Sequence, residues 1–259
     1  MSGDTVTLPA DAARHLKVVR PRPGETVELF DGRGHTRRCR WEGARLLPDG
    51  AATAFPPPPT ELILFACVTK GSRWDWTIEK AVELGTTRIV PVISDRCIVR
   101  LPPAERPAKA DRWRRIAADA ARQSDAVWLP EVLEAVDFPD ALALVKACGR
   151  VFAGALCNPP PPPIWNEVAA VVDDAPTASL GIFVGPEGDF TPEELHALLE
   201  LATPVSFGPT ILRAETAAIF GLSVLAAARG RSRPCGVGGS QTPSRHGRSP
   251  SRAEPMACT

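Results

Sequence analysis

The 259-residue sequence lacks a net charge, a CxxC pair and any apolar run approaching the ~20 residues of a membrane-spanning helix. Each absence narrows the function. The 30 Lys and Arg balance 30 Asp and Glu, so overall charge does not advertise a nucleic-acid partner, and any RNA contact has to come from a local basic face. The seven cysteines, at positions 39, 67, 97, 148, 157, 235 and 258, are odd in number and scattered. That argues against a disulfide framework and against a zinc site, and no metal is implied. Cys67, Cys148 and Cys157 stand in apolar surroundings, where a small buried hydrophobe is the expected role. Met1 to Ala10 has neither a basic start nor an apolar block, so a soluble, cytoplasmic protein is expected. No GxGxxG turn follows the first strand of the α/β part, where Thr69-Lys70-Gly71-Ser72-Arg73 stands instead. A nicotinamide oxidoreductase therefore loses its main signature. Without a Walker A, HExxH or nucleophile-elbow motif, phosphotransferase and hydrolase readings have no positive support.

Charge is unevenly placed along the chain. Residues 1–60 carry a net +2, residues 61–228 a net −7 and residues 229–259 a net +5. The first 55 residues read as short β-type segments between turns, such as Thr26 to Phe30 before Asp31-Gly32-Arg33-Gly34. They predict a small barrel or sheet domain. Residues 56–60 include four prolines, which suit a stiff connector. From Glu61 to Arg229 strand and helix signals alternate, which means a parallel sheet with helices on both faces. Leu62 to Val68 is an apolar strand. Trp74 to Leu84 is an amphipathic helix ended by Gly85, Arg88 to Ile93 a strand, and Ala110 to Gln123 a second helix. Val151 to Leu156 and Leu180 to Val184 are further strands, with Pro159 to Pro163 as a surface connector between them. A last helix, Glu215 to Arg229, is apolar nearly all round and needs cover on more than one side. Residues 230–259 shift to Gly, Ser, Pro and Arg, the composition of a disordered tail, read either as an extra RNA contact or as a soluble terminus.

Two loops concentrate the chemistry. Leu180 to Val184 runs into Gly185-Pro186-Glu187-Gly188, and Thr191-Pro192-Glu193-Glu194 then opens a helix with a capping box. In open α/β sheets ligands bind at the carboxyl ends of strands, and glycine lets backbone approach them closely. Alone, this is only a glycine turn before a capped helix. A second loop of the same kind, Phe207-Gly208-Pro209-Thr210-Ile211-Leu212-Arg213, precedes the last helix. Together the two can hold an adenine ring and ribose. At the head of that helix, Glu215 can serve as an N-terminal acid with Arg213 its solvated neighbour. An arginine in an apolar loop between glycine turns nevertheless calls for an anionic or carbonyl partner, which favours a functional role.

These residues resemble the ribosomal RNA small-subunit methyltransferase E family of the SPOUT superfamily. The likeness covers most of residues 10–228. It is carried by Arg14-His15-Leu16, Val19-Arg20, Gly24-Glu25, Lys70, Lys80-Ala81-Val82-Glu83-Leu84-Gly85, Pro91, Arg96-Cys97, Gln123-Ser124, Pro130-Glu131-Val132, Gly185 to Gly188 and Gly208 through Ala217. The resemblance implies an N-terminal PUA-like barrel that grips RNA, an α/β domain with a trefoil knot, and a homodimer. It further implies S-adenosyl-L-methionine-dependent methylation at N3 of a uridine in small-subunit (16S) ribosomal RNA, the substrate being that RNA or the small ribosomal subunit. Carried over by position, Leu156, Gly185, Pro186, Glu187, Gly188, Phe207, Gly208, Ile211, Leu212 and Arg213 would bind the methyl donor. Arg14, Arg20, Lys70 and Gln123 would bind RNA, and Arg213 and Glu215 would be catalytic.

The chain departs from the family pattern at a few positions. Asp189 stands where glycine is usually repeated, Thr210 where arginine is usual, Ala214 where threonine is usual, and Asp125-Ala126 in place of glycine and arginine. Two changes remove a cation and two add a carboxylate, so weaker phosphate binding is expected. They leave open a divergent member with another RNA target or an RNA-binding remnant.

Overall fold

The computed structural model describes residues 6–8, 10–174 and 178–231. The tail from residue 232 onward lies outside them.

The N-terminal part is not made of strands alone. A helix, α1 (Ala10–Val19), precedes β1 (Thr26–Phe30), β2 (His35–Trp41), β3 (Leu46–Pro48) and β4 (Thr53–Ala54). Its alanines are strong helix formers. Short length hid this signal among the turn residues. The sheet is antiparallel in the order β1-β2-β3, with β4 pairing β2. Leu16 of α1 packs with Cys39 and Leu46 beneath it.

The tip of the β1–β2 hairpin docks on the second domain. Gly34 N–H donates to Val127 O at 3.0 Å and Leu129 N–H to Gly32 O at 3.0 Å. Trp128 Nε1 donates to the carbonyl of Pro56 at 3.1 Å, so the proline connector is fastened at its first residue. Gly34 has φ 85°, and a Cβ there would meet the Trp128 ring at 2.3 Å. Only glycine admits both the turn and the close approach.

Beyond the connector stand β5 (Glu61–Cys67), α2 (Ser72–Glu83), β6 (Arg88–Ile93), α3 (Arg106–Ser124), β7 (Glu131–Val132), β8 (Val136–Asp137), α4 (Phe138–Ala147) and β9 (Arg150–Gly154). They are followed by α5 (Ile164–Asp174), β10 (Ser179–Val184), α6 (Pro192–Leu199), β11 (Thr203–Val205) and α7 (Ala214–Arg231). The strands form one parallel sheet in the order β11-β9-β10-β5-β6-β7, with β8 also on β6. Alternate side chains of β5 divide the core. Leu62, Leu64 and Ala66 join α2, α3, α5 and α7 on one face. Ile63, Phe65 and Cys67 join α4 and α6 on the other. Period-two alternation of a doubly covered strand dictates this split.

Local stops follow the sequence. Gly85, with φ 76°, ends α2, and its carbonyl accepts from Arg229 Nη1 at 3.1 Å. Asp125 ends α3 in the left-handed conformation with φ 55°. That is one of the positions at which the sequence departs from the pattern it resembles, and its backbone conformation is one that favours glycine. Asp is tolerated there at a cost. Asp125→Gly is expected to stabilise the fold by up to about 1 kcal/mol. A chemical denaturation midpoint unchanged or lowered by the substitution would contradict this.

Cys67 is buried, and burial pushes its thiol well above the usual range. Cys148 and Cys157 are only partly buried, contrary to the sequence expectation, because each sits where its strand or helix has already ended.

Candidate cofactor and RNA site

Parallel strands bring their carboxyl ends to one edge of the sheet. Three of them, β9, β10 and β11, run there into residues 154–156, 184–189 and 205–208, and the first turn of α7 closes the space between. The result is a cleft of about 310 Å³, within the size range of small-molecule sites. Leu156, Gly185, Pro186, Glu187, Phe207, Gly208, Ile211, Leu212 and Arg213 all line it. The proposed donor-binding residues, drawn from three separate stretches of sequence, thus converge. Gly188 does not line the cleft. A Cβ on it would meet Arg96 at 3.2 Å, and Arg96 Nη1 donates to the Gly188 and Phe190 carbonyls at 3.3 and 3.0 Å.

The glycines work differently from the sequence reading. At Gly185 the space of a Cβ is taken by the Phe190 ring at 2.9 Å, and at Gly154 by the Phe207 ring at 2.3 Å. Both are glycine because the protein packs on itself there. Gly208, with φ 119° and open space around it, is the one required by backbone conformation.

The loop after β10 is tightly supported. Asp189 N–H donates to Pro186 O at 3.0 Å, closing a turn, and Asp189 has φ 58°. Its Oδ1 accepts from Phe190 N–H at 2.8 Å. As at Asp125, the aspartate occupies a left-handed position of the kind that favours glycine, and the turn is kept. The capping box of Thr191 and Glu194 is present. Glu194 is buried, and its second oxygen accepts from Asp95 N–H at 2.9 Å. Arg96 and Asp95 thus brace the loop from β6.

The Pro159–Pro163 stretch is more than a surface connector. Ser206 N–H donates to Pro162 O at 2.9 Å and Ile164 N–H to Ser206 O at 3.0 Å, which holds the 205–208 loop at the sheet edge. Spacing could not show this, since the contact joins segments 43 residues apart in number, from Pro163 to Ser206.

At the head of α7, Arg213 is exposed and its carbonyl accepts from Ala217 N–H at 2.8 Å. Glu215 lies in the first helical turn with its side chain 13% exposed. Its Oε2 is buried with no hydrogen-bond partner among the described residues. A buried carboxylate oxygen left unpaired costs on the order of 1–3 kcal/mol, so this atom is suited to a ligand's donor. Its other oxygen faces Arg73 Nε at 3.8 Å, and Arg73 Nη1 reaches Glu187 Oε1 at 3.5 Å. Arg73, at the start of α2, carries no signal in the sequence, since only the fold brings it to Glu187 and Glu215.

The four RNA candidates are all exposed. Arg14 lies on α1 and Arg20 just past its end with φ 51°, so neither is on a strand face. Lys70 follows β5 at the edge that carries the cleft, and Gln123 is in the last turn of α3, ahead of the segment that docks the hairpin. Among the described residues no cluster of His, Cys, Asp or Glu is suited to a metal, and no helix is long and apolar enough to cross a membrane.

Residues 56–226 match the model of an RNA methyltransferase domain, and residues 8–44 that of an RNA methyltransferase PUA domain. The chain is 32% identical over 237 residues to the ribosomal RNA small subunit methyltransferase E of Mycobacterium bovis, covering 86% of this chain and 87% of the relative. The chain belongs to the ribosomal RNA small subunit methyltransferase E family. A Synechocystis member is 30% identical over 224 residues, 82% of this chain and 70% of the relative. Among solved structures, a ribosomal RNA small subunit methyltransferase E from Neisseria gonorrhoeae bound to S-adenosyl methionine is 30% identical, with a TM-score of 0.70 over 89% of this chain and 92% of that one. Membership in the methyltransferase E family accounts for a PUA domain ahead of a parallel α/β domain with its cleft at the strand ends.

Proposed function

We infer that the protein transfers a methyl group from S-adenosyl-L-methionine to N3 of a uridine in small-subunit (16S) ribosomal RNA, working in the cytoplasm as a homodimer. The observation that carries the reading is the convergence of three strand-end loops on one cleft, next to which Glu215 follows the lining residue Ala214 and holds a buried carboxylate oxygen with no hydrogen-bond partner among the described residues. The solved relative bound to S-adenosyl methionine supports the donor.

The cleft fits such a donor. Its walls combine apolar side chains with Gly185 and Gly208, which suits an adenine ring and ribose. Leu156, Gly185, Pro186, Glu187, Phe207, Gly208, Ile211, Leu212 and Arg213 would hold it. Bound there, the donor supplies an electrophilic methyl group on a sulfonium centre. Uridine N3 carries a proton and attacks poorly until that proton leaves. In this reading Glu215 accepts or orients it through Oε2. The Arg213 guanidinium favours the negative charge that then spreads onto a uracil carbonyl. The N3–carbon bond forms as the sulfur–carbon bond breaks, with the nucleophile held in line.

RNA would be gripped by the PUA domain with Arg14 and Arg20, and near the cleft by Lys70 and Gln123. Leu156 and Ile211 line the cleft yet are 62% and 81% exposed, which supports cover by a second subunit. Retention of the left-handed turns at Asp125 and Asp189 favours a working enzyme over an RNA-binding remnant.

Calorimetric titration tests the donor half directly. S-adenosylmethionine is expected to bind one site per chain, and absence of measurable heat or saturation would refute the assignment.

A further inference from the structure

Arg73 stands between two carboxylates from distant parts of the chain: Glu187, which lines the cleft, and Glu215, which adjoins the lining residue Ala214. Glu187 is in the turn after β10, and Glu215 is at the head of α7, which is reached only after α6, β11 and the Phe207–Arg213 loop. The guanidinium reaches Glu187 Oε1 with Nη1 at 3.5 Å and Glu215 Oε1 with Nε at 3.8 Å. Arg73 is itself held by position, as the second residue of α2, whose Thr77 hydroxyl donates back to the Arg73 carbonyl at 2.9 Å. At 46% exposure its side chain makes ion pairs of small worth to stability. Their effect is on geometry. With Oε1 facing Arg73 at ion-pair distance, the Glu215 carboxylate is left with Oε2 buried and without a hydrogen-bond partner among the described residues.

The geometry points to Arg73 as a positioning residue for the transfer reaction: it aims the Glu215 carboxylate by engaging one of its oxygens, and ties it to the Glu187 wall of the donor cleft. A planar guanidinium with several donors suits this double attachment, whereas an ammonium reaches one carboxylate at a time. This role rests on the methyltransferase reading given above.

A double-mutant cycle tests it, with Arg73→Ala, Glu215→Gln and the pair measured for kcat, for KM toward small-subunit ribosomal RNA, and for S-adenosylmethionine affinity. Arg73→Ala is expected to lower kcat about tenfold with the RNA KM nearly unchanged, to weaken the donor modestly through Glu187, and to add nothing in kcat once Glu215 is glutamine. Arg73→Lys should recover part of the loss, and unaltered melting curves for the three variants exclude misfolding as the cause. Should Arg73→Ala fail to fold, the same non-additivity is read from Arg73→Lys. Losses that multiply, or a rise in RNA KM alone, would show that Arg73 contacts RNA and overturn the positioning role. Wild-type protein that methylates no small-subunit RNA would overturn the functional reading and this role with it.

Discussion

Glutamine at Glu215 is expected to lower the turnover of RNA methylation by about 10²-fold or more while the donor still binds. The substitution keeps shape and hydrogen-bonding size but removes the acceptor that a departing N3 proton needs. Because Glu215 Oε2 is buried and unpaired among the described residues, the wild-type carboxylate is held ready at a cost to stability, and glutamine should be neutral or mildly stabilising. Alanine at Arg213 is expected to have a kcat effect of similar size through loss of charge stabilisation, about 10²–10³-fold for one such donor. Arg213 also lines the cleft, so a smaller loss of donor affinity should accompany it. Single-turnover methylation with saturating donor separates the two. Full turnover in both variants would remove Arg213 and Glu215 from the mechanism.

The second large effect lies away from the reacting atoms. Gly154→Ala places a Cβ 2.3 Å from Phe207 Cε2 and 2.7 Å from Cζ. The ring cannot retreat freely, since it packs edge-on against Phe220 with centroids 5.9 Å apart. Overpacking of this kind costs about 1–3 kcal/mol, relieved only if Phe207 swings away from its place on the cleft wall. Donor affinity should therefore fall about 5- to 150-fold, with the RNA KM much less affected. Phe207→Leu added to Gly154→Ala should restore part of the affinity by freeing space. An unchanged dissociation constant for Gly154→Ala would mean that the Phe207 wall does not shape the donor site.

Much of the α/β domain was legible because its elements are strongly periodic. The strand Arg88–Ile93 lies where its apolar run puts it, and Gly85 ends α2 with positive φ as its place after the amphipathic run requires. Thr191 and Glu194 form the capping box that their spacing announces. What escaped has one cause, which is dependence on distant partners. Helix α1 is short, and its buried face is shared with Cys39 and Leu46, so periodicity alone did not separate it from the turns around it. The reason for glycine at 154 and 185 lies in rings at 207 and 190, and the value of Pro162 lies in Ser206. Arg73 carries no local signal at all. Conversely, Asp125 and Asp189 look disruptive in the sequence, and only their φ angles of 55° and 58° show that they keep turns a glycine would otherwise make.

The proposed function requires methylation at N3 of a uridine in small-subunit ribosomal RNA. N3 lies on the pairing edge of the base, so its methylation blocks reverse transcription at the modified position. The decisive measurement incubates unmodified small ribosomal subunits, and separately their RNA, with the protein and labelled S-adenosylmethionine. Label and primer-extension stop are then mapped together. A single donor-dependent stop at a uridine, with one methyl group per subunit and no stop for Glu215→Gln, is the predicted result. Label found on a ribose or on another base, or no label despite saturated donor binding, would contradict it.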